Sequence, residues 1–216
     1  MVYRAVLFDI DGTLLDTLKD IATSANTVLA RHGFPEHKLE DYKYFVGEGM
    51  EALAMRILPE DRLDEATVSN VVSEINGEYD LHWADTTHPY EGIPELLRKL
   101  TDRSLKLAVL SNKPDDSAKL NIYRLLPDWH FEAVLGVSSS RPRKPDPAGA
   151  LEISRLLNIP SREFIYVGDT NTDMITAKTA GMYPVGVLWG FRTADELLAA
   201  GARSLISSPL DLLKLF

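Results

Sequence analysis

Residues 4–13 read RAVLFDIDGT, so an apolar run ends in two carboxylates and a glycine. Five more runs rich in valine, isoleucine and leucine follow, and none of them alternates apolar with polar residues. Strands that are covered on both faces have this continuous apolar pattern. Helix-length amphipathic segments separate the later runs, and this alternation predicts an α/β fold with a parallel sheet. The predicted strands cover residues 4–8, 106–110, 133–137, 164–168, 184–188 and 204–206.

The connection between the first two predicted strands is far longer than the dozen or more residues that a crossover between parallel strands needs. Within it, apolar residues recur at helical spacing, as at Val68, Val71 and Ile75. We therefore expect a separate all-helical subdomain inserted into the sheet domain. The predicted insertion covers residues 16–86, and the predicted core comprises residues 1–15 and 87–216.

Composition limits the classes of partner and site. The chain of 216 residues carries a formal charge of −9 and has no cysteine. The negative charge argues against a nucleic acid or an anionic membrane as partner, and a metal ion would have to bind oxygen or imidazole ligands. No apolar run approaches the roughly 18 residues of a membrane span, and the first residues resemble a strand more than a signal peptide. We expect a cytoplasmic protein.

Four of the predicted strands are each followed by charged or hydrogen-bonding residues, and the first is followed by a glycine as well. These residues are Asp9, Asp11, Gly12 and Thr13 after the first, Ser111, Asn112 and Lys113 after the second, Lys144 after the third, and Asp169 and Asp173 after the fourth. The carboxyl ends of parallel strands meet at one edge of a sheet, so we expect these residues to converge. Asp169 is also placed to cap the helix that follows it.

Several familiar motifs are missing from these strand ends. A calcium loop that begins at Asp9 would need an acid or amide where Thr13 stands, and one that begins at Asp169 would need a glycine where Met174 stands. Neither a GxxxxGK[ST] loop nor a GxGxxG turn after the first strand is present, and the five histidines show no HExxH spacing. These absences argue against nucleotide binding and zinc catalysis.

The converging residues fit phosphoryl transfer. Magnesium prefers oxygen ligands, and Asp9, Asp169 and one backbone carbonyl would supply them. The ion and Lys144 would offset enough negative charge for a carboxylate to approach a phosphoryl group. One carboxylate would then attack to form an aspartyl phosphate, while its neighbour protonates the leaving alcohol and later activates water.

Four segments, in this order, resemble the four motifs of the haloacid dehalogenase superfamily: FDIDGTLLD (8–16), LSNKP (110–114), RKPDP (143–147) and GDTNTDM (168–174). The resemblance implies a Rossmann-like core with a helical cap inserted after the first motif. It also implies a role for each motif residue. Asp9 would be the nucleophile, and Asp11 would be the acid/base. The phosphoryl group would be contacted by Gly12, Thr13, Ser111 and Asn112, and its charge would be neutralised by Lys144. Mg²⁺ would be held by Asp9, the Asp11 carbonyl, Asp169 and Asp173.

Within that superfamily, residues 46–50, 89–100 and 189–202 are similar to phosphoglycolate phosphatases and their relatives. Asp11 argues against a dehalogenase, and Ile21 stands where similar β-phosphoglucomutases have a cap histidine. We expect hydrolysis of a small phosphorylated metabolite, with 2-phosphoglycolate as a candidate, by a monomer or dimer. A sugar-phosphate phosphatase, a pyrophosphatase, a phosphomutase and a non-catalytic phosphate-sensing protein are the alternatives.

Substrate specificity is expected to lie in the cap. Gly47, Glu48 and Gly49 precede a predicted helix whose free backbone N–H groups would receive a substrate carboxylate. The alternative is a glycine turn that only joins two cap helices.

Overall fold

The computed structural model describes residues 2–216, which divide into two compact units. The larger unit joins the chain up to Leu15 with Pro89–Phe216, and the smaller unit is Asp16–His88. The sequence placed the end of the insertion at residue 86, and the division falls after His88.

Helices and strands alternate along most of the chain. The strands are β1 (Ala5–Phe8), β2 (Leu15–Asp16), β3 (His88–Pro89), β4 (Lys106–Pro114), β5 (Ala133–Val137), β6 (Phe164–Gly168), β7 (Tyr183–Val187) and β8 (Ser204–Ile206). The α-helices are α1 (Leu18–Arg31), α2 (Leu39–Phe45), α3 (Met50–Ile57), α4 (Glu65–His82), α5 (Ile93–Asp102), α6 (Asp115–Leu125), α7 (Ala148–Leu156), α8 (Asn171–Thr179) and α9 (Ala194–Ala200). Short 3₁₀ helices cover Glu60–Arg62, Ser161–Glu163 and Pro209–Leu215. No helix within residues 2–216 is both long enough and apolar enough to cross a bilayer.

The larger unit is built on a six-stranded parallel sheet with the strand order β5-β4-β1-β6-β7-β8. Strand β1 lies at its centre, with Ala5 opposite Lys106 of β4 on one side and Phe164 of β6 on the other. The predicted α/β class is confirmed. Strand β4 extends past the predicted end at residue 110 to Pro114, with a shift in register on the way.

Both faces of this sheet are covered, which explains why its strands do not alternate in polarity. Val6 and Phe8 of β1 face one apolar cluster, which includes residues of α5 and α6. Ala5 and Leu7 face a second cluster, which includes residues of α7 and α8. Because helices cover both faces of the sheet, polar groups that act on a ligand are expected at its carboxyl edge.

The smaller unit is helical and contains α1, α2, α3 and α4. Helix α1 packs against α4, and α4 packs against α3. The predicted apolar stripes are buried, including Ile21 and Val28 of α1 and Val71 and Ile75 of α4.

A buried carboxylate in the first turn of α1 joins the two ends of this unit. Asp20 accepts hydrogen bonds from the backbone N–H and the hydroxyl of both Thr86 and Thr87. Burial opposes ionisation, but these hydrogen bonds lower the pKa of Asp20 below its usual value. The charged carboxylate therefore holds the start of the unit against its end.

Candidate active site

The residues at the carboxyl ends of β1, β4 and β6 lie side by side, because β1 pairs with both of the other strands. The backbone N–H of Asp9 donates to the Val167 carbonyl at 3.0 Å, which ties the loop after β1 to the end of β6. Lys144 reaches the same place from the segment that follows β5. Convergence at the carboxyl edge therefore follows from the strand order and, for Lys144, from the course of the segment after β5.

The ammonium of Lys144 lies among carboxylates. Its Nζ is 2.8 Å from Oδ1 of Asp9, 2.7 Å from Oδ1 of Asp173 and 3.2 Å from the Leu110 carbonyl. Burial favours the neutral amine, but the charges of Asp173 and Asp9 raise the pKa of Lys144 well above its usual value. Lys144 is therefore a buried cation that fixes one oxygen of Asp9.

Three buried carboxylates form a cluster that suits a divalent cation. Asp9, Asp169 and Asp173 each place one oxygen within 4.8 Å of the others. Burial raises the pKa of Asp9 well above its usual value, and the neighbouring acids add to the effect while Lys144 opposes it. Burial and the charge of Asp173 raise the pKa of Asp169 to about 7. Ionising all three needs positive charge, and hard oxygen donors of this kind fit Mg²⁺.

Asp169 is held by the loop after β1 and by the segment after β7. The Thr13 hydroxyl donates to its Oδ1 at 3.1 Å, and the Phe191 backbone N–H donates to its Oδ2 at 2.9 Å. A Cβ at Gly12 or at Gly190 would collide with the Asp169 side chain. Thr13, predicted as a phosphoryl contact, therefore also positions Asp169, a predicted metal ligand. Residues 190–191 pack against the same side chain, and the sequence had not indicated them as part of the site.

Asp173 is fixed by hydrogen bonds to both of its oxygens. The backbone N–H and hydroxyl of Thr170 donate to Oδ2 at 3.0 and 2.7 Å, and the Tyr166 hydroxyl donates to Oδ1 at 3.3 Å. The N-cap of α8 is Thr170, in a capping box with Asp173. The expectation that Asp169 caps this helix is wrong, because its carboxylate turns toward Thr13 and Phe191 instead.

Asp11 contacts Lys113, a residue at the end of the second predicted strand to which the sequence assigned no role. The ammonium of Lys113 is 3.2 Å from Oδ1 of Asp11, and the two side chains are 7% and 14% exposed. The Lys113 backbone N–H donates to the Ser111 hydroxyl oxygen at 3.2 Å. The only signal in the sequence was the position of Lys113, two residues after Ser111 at a strand end. The predicted acid/base therefore has a buried cation beside it.

Asn112, predicted to contact the phosphoryl group, directs its side-chain amide to the backbone of Lys144. The Lys144 N–H donates to Oδ1 of Asn112 at 2.7 Å, and Nδ2 donates to the Lys144 carbonyl at 3.1 Å. This pair joins the end of β4 to the segment that carries the lysine. A contact between Asn112 and a phosphoryl group stays a prediction.

Gly47, Glu48 and Gly49 belong to the smaller unit. Gly49 is the N-cap of α3 with φ 92°, and Gly47 has φ 121°, so both adopt backbone conformations that favour glycine. Oε1 of Glu48 accepts a hydrogen bond from Nη2 of Arg56 at 2.6 Å. The segment is thus a glycine-rich turn between α2 and α3, and its role in substrate binding stays a prediction.

Comparisons with known proteins agree with this geometry. A sequence model of haloacid dehalogenase-like hydrolases matches residues 6–187. The chain is 30% identical over 193 residues to a phosphoglycolate phosphatase from Xanthomonas campestris pv. campestris, covering 89% of this chain and 86% of the relative. It is 30% identical over 212 residues to a phosphoglycolate phosphatase from Aquifex aeolicus, covering 98% and 96%. A solved structure from Lactobacillus delbrueckii subsp. bulgaricus, provisionally assigned as a phosphoglycolate phosphatase, superposes with a TM-score of 0.94 at 29% identity over 100% of this chain and 98% of that chain.

The family match spans all four segments that carried the resemblance, so that expectation is confirmed. The relatives also support the expected class, a phosphoric monoester hydrolase. The chain belongs to the haloacid dehalogenase-like hydrolase family.

Proposed function

We propose that this hydrolase cleaves a small phosphate monoester with Mg²⁺, through an aspartyl phosphate on Asp9, and that 2-phosphoglycolate is its substrate. The observation that carries the proposal is the position of the Lys144 ammonium, bound at once to Asp9 and Asp173 beside Asp169. A nucleophilic carboxylate must approach an anionic phosphoryl group, and fixed positive charge lowers the cost of that approach.

In the first step, a carboxylate oxygen of Asp9 bonds to phosphorus as the ester P–O bond breaks. Lys144 holds Oδ1 of Asp9, which fixes the plane of the attacking group. Asp11 gives its proton to the leaving oxygen, so the alcohol departs neutral. In the second step, Asp11 takes a proton from water as that water attacks the aspartyl phosphate, which releases phosphate and restores the Asp9 carboxylate.

The divalent cation would be held by the carboxylates of Asp9, Asp169 and Asp173 with the carbonyl of Asp11, and it would supply positive charge next to the phosphoryl oxygens. The fit rests on the three buried carboxylates, whose mutual repulsion a cation relieves. Thr13 and Phe191 hold Asp169 in place for that task.

The choice of 2-phosphoglycolate draws on the names of the Xanthomonas campestris and Aquifex aeolicus relatives. Sugar-phosphate phosphatase, pyrophosphatase and phosphomutase activities are alternatives for the same site. A phosphate-sensing protein would not need Asp11, because a stable phosphoaspartate requires no group that activates water. A cytoplasmic location and a monomeric or dimeric state are expectations from the sequence alone.

The test is the hydrolysis of a panel of phosphorylated metabolites by the wild-type protein and by Asp9→Asn, with Asp116→Asn as the matched control. Asp116 is an exposed acid in the first turn of α6. We expect Asp9→Asn to lose nearly all turnover, because an amide is a poor nucleophile and a poor magnesium ligand. Retention of the wild-type rate by Asp9→Asn would refute the nucleophile.

A further inference from the structure

Lys113 is a buried cation that the proposed mechanism does not use. Among residues 2–216, the buried basic residues are Lys113, Lys144 and Arg192. Lys144 serves Asp9 and Asp173, whereas Lys113 contacts Asp11. Burying an ammonium costs free energy unless anions compensate for it, so its place beside Asp11 calls for a functional reason.

The position of Lys113 follows from the strand that carries it. It stands two residues after Ser111 near the end of β4, and its backbone N–H is tied to the Ser111 hydroxyl. The side chain therefore projects from a fixed backbone at the carboxyl edge. Its Nζ lies 3.2 Å from Oδ1 of Asp11, whereas the Lys144 ammonium contacts Asp9 and Asp173.

That placement puts the ammonium on the side of the leaving group. A general acid must lie within about 3 Å of the oxygen that it protonates, so the leaving oxygen must approach the Asp11 carboxyl. Lys113 is at hydrogen-bond distance from the same carboxyl. An ammonium carries three donors, so a contact with Asp11 is compatible with a second anionic acceptor close to the leaving oxygen.

We propose that Lys113 is a specificity-determining residue that binds a carboxylate on the leaving group, so that the enzyme selects phosphate esters of hydroxy acids. This inference rests on the proposed function, since it uses Asp11 as the acid. In 2-phosphoglycolate the carboxylate carbon is attached to the carbon that bears the ester oxygen, which keeps it near Asp11. Without Lys113, a substrate carboxylate buried at this place would have no cation of its own, because the Lys144 ammonium contacts Asp9 and Asp173.

Two substrates of the same length test whether Lys113 binds the substrate carboxylate. 2-Phosphoglycolate carries the carboxylate, and 2-hydroxyethyl phosphate replaces it with a neutral hydroxymethyl group. We expect Lys113→Met to lower the ratio of their kcat/KM values by about 10- to 100-fold, because a charged hydrogen bond is lost with only one of them. Lys113→Arg, which keeps the charge, should retain more of the preference than Lys113→Met. Lys99→Met, which removes a partly exposed lysine of α5, should leave the ratio unchanged.

A binding measurement extends the test to enzyme that does not turn over. The inhibitors are 3-phosphonopropionate, which has a carbon in place of the ester oxygen, and propylphosphonate, which lacks the carboxylate. Lys113→Met should weaken the first relative to the second by a similar factor. If the substrate ratio and the inhibitor ratio are both unchanged in Lys113→Met, the carboxylate role is wrong.

Three further outcomes overturn the inference in different ways. Equal loss of kcat on both alkyl phosphates, with p-nitrophenyl phosphate spared, would make Lys113 a positioning residue for Asp11, since that leaving group needs no proton. A wild-type enzyme that prefers 2-hydroxyethyl phosphate would refute the carboxylate site while leaving the phosphatase intact. A wild-type enzyme that hydrolyses no phosphate monoester would instead refute the proposed function, and the inference with it.

Discussion

The side-chain amide of Asn112 and the backbone of Lys144 form a reciprocal pair of hydrogen bonds: the Lys144 N–H donates to Oδ1 at 2.7 Å, and Nδ2 donates to the Lys144 carbonyl at 3.1 Å. A side-chain amide can match the backbone of one residue in this way because both present a donor and an acceptor. The pair fixes the backbone from which the Lys144 ammonium reaches Asp9 and Asp173. Asn112 is therefore a positioning residue, which affects the reaction by fixing the backbone of Lys144.

Replacement of Asn112 by alanine should lower kcat more than it raises KM. Loss of the pair frees the backbone of Lys144, and misplacement of a catalytic group by about 1 Å can cost about 100-fold in rate. Asn112→Asp keeps one acceptor but loses the donor to the carbonyl, so we expect an intermediate rate. The measurement is steady-state kinetics with the Tm of each variant. A lower Tm with the wild-type kcat would reduce Asn112 to a structural role, and a rise in KM alone would favour the phosphoryl contact predicted from the sequence.

Asp11→Asn should separate the two halves of the reaction. If Asp11 activates the water of the second step, its amide variant leaves the aspartyl phosphate without a base, and the intermediate should persist. Slower protonation of the leaving group also reduces the first step, so an activated aryl phosphate is the substrate of choice. The measurement is a single-turnover experiment with ³²P-labelled substrate. Fast multiple turnover without protein-bound label would contradict the assigned roles.

Magnesium affinity should depend on pH near neutrality. The pKa of Asp169 is raised to about 7, so protons compete with the metal below that pH, and apparent affinity should fall by up to about tenfold per pH unit. The folded-state pKa exceeds the unfolded value, so folding favours the neutral acid. The metal-free protein should accordingly lose this contribution to stability as the pH rises from about 4 to 7. Calorimetric titration with Mg²⁺ at pH 6, 7 and 8 measures the effect.

The matched variant for that measurement is Asp169→Asn. It should lose Mg²⁺ binding and activity, yet its metal-free form should have a higher Tm than the wild type at pH 8, because a buried charge near Asp173 is gone. Magnesium affinity that is constant from pH 6 to 8 would contradict the elevated pKa. Full activity after treatment with EDTA would exclude the metal site altogether.

Sequence alone predicted the sheet because burial of both faces leaves an unmistakable apolar run, as in Ala5–Phe8. It failed at the end of β4, where Ser111 and Lys113 are polar although they are buried. Both residues belong to β4, and their side chains lie at the site at the carboxyl edge of the sheet. The apolar pattern therefore ended at residue 110, short of Pro114.

The site was predictable where side chains follow neighbouring parallel strands, since strand order brings Asp9 and Asp169 together. Lys144 joins them through the course of the segment after β5. It was not predictable where backbone groups build it. The N–H that binds Asp169 belongs to the backbone of Phe191, and every residue except proline has such a group, so the residue type does not reveal this contact. Gly190 is the nearest signal, because only glycine tolerates the close approach to Asp169.

Removal of the Asp20 carboxylate should destabilise the protein through the smaller unit. Asp20→Ala leaves the N–H and hydroxyl groups of Thr86 and Thr87 without their acceptor, at a cost of about 3–5 kcal/mol. The pKa of Asp20 is lowered on folding, so its contribution is present above about pH 4 and is lost as the pH falls through the folded-state value. Asp20→Asn should therefore differ from the wild type at pH 7 and converge with it in acid. Urea unfolding across that range measures the gap, with Asp80→Asn, an exposed acid of α4, as a control expected within about 0.5 kcal/mol of the wild type. A gap that is constant with pH would mean that the charge of Asp20 contributes nothing, because the protonated carboxyl would then accept these hydrogen bonds as well as the carboxylate does.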